Sequence, residues 1–84
     1  MIDRKYTVLF KPDEDGGYII TVPALPGLVS FGETLREAKV MAKEAITGHL
    51  EALQKNGLPF PVEDEETGKI TFADQVAVSI QNVA

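Results

Sequence analysis

A chain of 84 residues has room for one domain and buries only about 60% of its unfolded surface, so its stability is modest and oligomerisation is a natural supplement. The absence of cysteine excludes a disulfide scaffold, a thiolate metal site and a cysteine nucleophile together. With 44% hydrophobic and 25% charged residues the composition is that of an ordinary soluble globular protein, and a formal charge of −5 disfavours contact with phosphate backbones while attracting a basic partner.

The first residues, MIDRKYTVLFK, scatter charges among apolar positions, so they are not a signal peptide and a cytoplasmic address follows by default. Over residues 5–11, Tyr6, Val8 and Phe10 alternate with Thr7 and Leu9, the period-two pattern of a strand with one strongly apolar face. Residues 12–17, PDEDGG, hold the Asp and Gly chemistry of a tight reversal. Residues 18–22 form the second predicted strand, with Tyr18, Ile20 and Val22 on one face and Ile19 and Thr21 on the other. Pro23 and Pro26 stop it, because proline cannot donate to a ladder, and Gly27 suits a turn. Residues 28–32 are a short third strand with Val29 and Phe31 at strand spacing.

The segment 34–57, TLREAKVMAKEAITGHLEALQKNG, predicts one helix with both ends marked. Thr34 and Glu37 form a capping box at its start, and Asn56-Gly57 followed by Pro59 close it. Leu35, Ala38, Ala42, Ala45, Ile46, His49, Leu50 and Leu53 make one apolar stripe, so the helix lies on a partner surface, most simply a sheet. Gly48 is costly in mid-helix, which suggests a close backbone approach there, by this sheet or by a neighbouring subunit. Residues 58–62 then read as an extended apolar stretch wrapping back over the core, and 63–69 as an acidic loop. Residues 70–72 are a candidate short strand and 76–80 a clearer one, whose place in the sheet the sequence leaves open. The expected architecture is α+β: a single-layer antiparallel sheet of three to four strands with one long helix packed on it, in the order β-β-β-α-β. It forms one domain over residues 1–84.

No catalytic, cofactor or metal site emerges. Asp13 and Asp15 with two glycines resemble the start of a calcium loop, but the remaining liganding positions and the closing glutamate are missing, so a hairpin turn is expected. His49 is the only histidine and has no histidine or cysteine partner for zinc. Ser30 and Ser79 have no base spaced to activate them. Gly16-Gly17 lies in a hairpin rather than before a helix, which excludes a phosphate loop. The strand aromatics Tyr6, Phe10, Tyr18 and Phe31 have few basic neighbours and are expected in the core.

The ordered set Tyr6-x-Val8, Asp15-Gly16-Gly17-Tyr18, Pro23-x-Leu25-Pro26-Gly27, Gly32-Glu33-Thr34-Leu35-Arg36-Glu37-Ala38 and Ala45-Ile46 resembles the HicB-like antitoxin family over roughly residues 4–62. The resemblance implies a partial ribonuclease H-like fold without that enzyme's catalytic carboxylates. It also implies a non-enzymatic protein that blocks a small basic HicA-type toxin cleaving messenger RNA, and assembly as a homodimer or homotetramer. Family members often add a C-terminal DNA-binding module. This sequence stops at Ala84, so no separate module is expected of it and the resemblance does not carry direct DNA binding over to it. The family's motif residues, Gly17, Tyr18, Pro23, Pro26, Gly27, Thr34, Glu37 and Gly57, have structural uses in turns and caps, and the toxin-binding residues stay unassigned. Two other readings stand beside this one: a stand-alone oligomeric regulatory or ligand-binding domain without a toxin, and a metal-dependent nuclease suggested by fold alone.

Overall fold

A computed structural model describes residues 2–61 and 73–80 of the chain. Its elements are β1 (Ile2–Pro12), β2 (Tyr18–Thr21), β3 (Val29–Gly32), α1 (Leu35–Lys55) and β4 (Ala73–Ile80). They form one four-stranded sheet in the order β3-β2-β1-β4, antiparallel throughout, with α1 against one face. The expected α+β order is therefore the observed one. The open question of the last strand is answered too: β4 runs beside β1, pairing Ile2 with Ile80 through to Leu9 with Ala73.

Alternation decides what each strand buries. Tyr6, Val8 and Phe10 of β1, Ile20 of β2, and Val78 and Ile80 of β4 all point to the helix side and are at most 2% exposed. Against them α1 sets Ala38, Ala42, Ile46 and Leu50, each fully buried and four residues from the next. Leu35, Met41, Ala45 and Leu53 flank this row, partly buried, and His49 is half-buried at the boundary. The small side chains of Ala38 and Ala42 at the N-terminal half of the row let the helix sit close to the sheet there.

Several boundaries differ from those expected, for reasons of pairing. β1 extends past 5–11 at both ends because β4 and β2 supply partners for the extra residues, and β4 begins at Ala73, three residues before the β-branched run. Val22 and Leu28 leave the strands for the turns but remain buried. Beyond α1, Phe60 packs on the core, Arg4 stacks 5.6 Å from its ring centroid, and the Tyr6 hydroxyl donates to the Pro61 carbonyl at 2.9 Å. The stretch after the helix thus folds back as expected through residue 61. Val62, the acidic segment 63–69 and the candidate strand 70–72 lie outside the described residues.

One expectation is narrowed and one overturned. Among the described residues nothing lies within 4 Å of where a side chain at Gly48 would begin, so the sheet of this chain makes no close approach to that glycine. Phe31 is not core: it falls on the face away from α1 and is 43% exposed.

Candidate functional site

The motif residues sit at the corners of the fold. Between β1 and β2 the amide of Asp13 donates to the Gly17 carbonyl at 2.9 Å and that of Gly16 to the Asp13 carbonyl at 3.1 Å, with positive φ at Gly16 and Gly17. Tyr18 follows at once, half-buried against the core. Between β2 and β3 two turns run in succession, closed by Leu25 N–H to Val22 C=O at 2.9 Å and Leu28 N–H to Leu25 C=O at 3.1 Å. Pro23 and Pro26 each occupy the second position of one turn, and Gly27 supplies the positive φ that the second requires. The outcome is a fully buried Leu25 carried on a surface loop.

At the start of α1 the Thr34 hydroxyl accepts from the Glu37 amide at 3.1 Å, satisfying one of the donors the first turn leaves without a partner. At its end, Gly57 at φ +68° donates to Gln54 C=O and Leu58 N–H reaches Leu53 C=O at 2.9 Å, the paired bonds of a Schellman motif. These residues shape turns and caps and do not converge on one another.

Chemistry finds little support in the arrangement. Among the described residues no group of three or more His, Asp or Glu side chains is placed to hold a metal ion. Asp13, Glu14 and Asp15 ride the β1–β2 turn. The Ser79 hydroxyl donates to Asp3 Oδ1 at 2.6 Å, a cross-strand tie on the face opposite the helix, so the sheet separates it from His49. No helix among the described residues is long and apolar enough to cross a membrane.

Among the described residues, what the molecule does present is a sheet face that no helix covers. The cross-strand rows Lys11–Ile19–Phe31 and Leu9–Thr21–Val29 lie on it, with Val29 66% exposed. Phe31 rests its ring on the backbone of Gly17, occupying the space a side chain there would need.

Comparison with known proteins decides the family. The sequence profile of the HicB-like antitoxins of bacterial toxin–antitoxin systems matches residues 6–81. The chain belongs to the HicB-like antitoxin family. It is 45% identical over 62 residues to a UPF0150 protein of Thermoplasma acidophilum, covering 74% of this chain and 90% of that one. It is 36% identical over 64 residues to the HicB 1 antitoxin of Photorhabdus laumondii, spanning 71% of this chain but only 41% of the relative. In structure it superposes on the N-terminal domain of the Burkholderia pseudomallei antitoxin HicB with a TM-score of 0.72 at 27% identity, covering 94% of this chain and all of that one. A chain of a toxin–antitoxin complex from Streptococcus pneumoniae has the same fold, with a TM-score of 0.75 at 19% identity over 93% of this chain and 70% of that one.

Within this HicB-like domain, sequence reasoning missed two features. Gly32 stands in the sequence only as one position of a motif, yet a side chain there would meet the backbone of Ala38 at 2.5 Å. Its place two residues before the helix cap was the available signal. The apolar character of the bare face was missed because Val29 and Phe31 look like core residues until a helix is seen on only one side.

Proposed function

We infer that this chain is a non-enzymatic antitoxin module that sequesters a small basic HicA-type toxin, a ribonuclease acting on messenger RNA. The observation that carries this is the family match over residues 6–81. The fold shared with chains of toxin–antitoxin complexes is in keeping with it. So is the formal charge of −5, which steers a basic partner inward and phosphate backbones away. The module acts in the cytoplasm, as a homodimer or homotetramer, without metal or cofactor. Its partial ribonuclease H-like sheet serves as a scaffold, since no carboxylate trio converges among the described residues. Expression of the small basic reading frame beside this gene is expected to arrest bacterial growth, and co-expression of this chain to restore it. Continued arrest at matched expression levels refutes the reading.

One observation favours a second reading. The chain covers 90% and 75% of the UPF0150 relatives from Thermoplasma acidophilum and Synechocystis, which are therefore little more than this domain. A stand-alone oligomeric regulatory or ligand-binding domain fits such proteins. Absence of a neighbouring toxin gene, with no growth phenotype on deletion, would select it.

A further inference from the structure

The face of the sheet turned away from α1 is not uniform. At the β3 end it carries Leu9, Ile19, Val29 and Phe31 in two adjacent cross-strand rows, while towards the other end of β1 it continues as Thr7, Lys5 and Asp3 opposite Gln75, Ala77 and Ser79. Val29 and Phe31 are exposed there and Leu9 and Ile19 are part-buried beside them, and apolar side chains exposed at neighbouring positions mark an interaction surface. The apolar rows also end beside negative charge. Asp13, Glu14 and Asp15 precede Tyr18, Tyr18 pairs with Gly32, and Glu33 follows Gly32, so all four carboxylates stand at one end of the sheet with Lys11 as the cation of the nearest row.

Among the described residues, the opposite side of the molecule lacks this combination. On α1 the basic residues Arg36, Lys39, Lys43 and Lys55 nearly balance Glu37, Glu44 and Glu51, and Val40 is its one large exposed apolar side chain. A basic partner meets near-neutral charge there and attraction at the β3 end of the open face.

We propose that the open face around Ile19, Val29 and Phe31, with its acidic rim, is the surface that receives the basic toxin. The inference rests on the antitoxin reading and gives it a place. The apolar rows supply the dry centre of the contact, and the rim carboxylates draw the partner in and set its orientation. Nothing in the core has to move, because the side chains already point outward.

The test uses the full chain and the purified product of the adjacent toxin gene. Val29→Asp, at a position with little packing to lose, is expected to weaken toxin binding at least tenfold and to abolish growth rescue. Val40→Asp on the helix should bind as the wild type does. The double variant Glu14→Lys, Glu33→Lys should slow association several-fold at low salt, with the difference vanishing at high salt. It carries the test if Val29→Asp is unfolded by circular dichroism. If the wild type binds and both open-face variants match it, the surface is wrong although the antitoxin reading stands. Loss of self-association in Val29→Asp with toxin binding intact also overturns the proposal, because the face would then belong to a second copy. A wild type that neither binds nor rescues removes both.

Discussion

Gly32 lies against the backbone of Ala38, so that a methyl group at position 32 would stand 2.5 Å from both the amide nitrogen and the Cα of Ala38. The end of β3 and the first turn of α1 come together at Gly32 and Ala38, and the chain passes from strand to helix across Glu33 and Thr34 with no room to spare. Gly32→Ala forces the two apart and is expected to cost about 1–3 kcal/mol, a range typical of overpacking. Thermal unfolding checks it, since about 1 kcal/mol moves the midpoint of a domain this small by roughly 4–8 °C.

The helix start offers a milder change. Thr34→Ala removes the acceptor that the Glu37 amide uses at 3.1 Å and should cost about 1 kcal/mol, whereas Thr34→Ser keeps the hydroxyl and most of the stability. Urea denaturation of the three proteins measures the difference, and equal midpoints would show that the cap contributes nothing.

Gly48 predicts a gain. It is exposed in the middle of α1 with open space around it, so Gly48→Ala should stabilise the chain by about 0.5–1 kcal/mol through lost backbone freedom in the unfolded state. If light scattering shows instead that the variant falls to a smaller assembly, a second copy approaches this glycine.

Leu25 is the anchor of the β2–β3 loop, with none of its surface exposed. Leu25→Ala is expected to cost about 2–5 kcal/mol, a large share of the stability of so short a domain. Chemical denaturation should show the change as a marked fall in midpoint, while Pro23→Ala on the exposed side of the same loop should shift it far less.

Tyr6 ties the segment after the helix to the sheet. Tyr6→Phe deletes the 2.9 Å bond to the Pro61 carbonyl while keeping the ring in the core, at a cost of about 1 kcal/mol. Amide exchange should quicken around residues 58–61 and leave the centre of α1 unchanged.

The helix was legible because both of its ends carry residues with a specific stereochemical use, Thr34 with Glu37 and Asn56 with Gly57, and its stripe has a period no strand can share. The first hairpin was legible from alternation on either side of Asp13–Gly17. Where β4 would lie was not, because an isolated run of β-branched residues fixes strand character and says nothing about its neighbour. Phe31 was misplaced for a related reason: alternation divides a strand into two faces, and only the position of α1 says which face is dry. The family motif was readable residue by residue, yet Gly17, Pro26 and Gly57 are signs of folding geometry, so they identified the fold and left the contact surface to be found from exposure and charge.

The order β3-β2-β1-β4 places β1, made before the other described strands, beside β4, made after them. During synthesis β1 can close its hairpin with β2 within a few residues, but its other edge stays bare until residues 73–80 emerge. The contact that completes the sheet is also the one most distant in sequence, so its loop-closure entropy sets the pace of folding. Throughout that interval the nascent chain exposes an unpaired hydrogen-bonding edge, and a chaperone or a second nascent copy that reaches it first competes with β4.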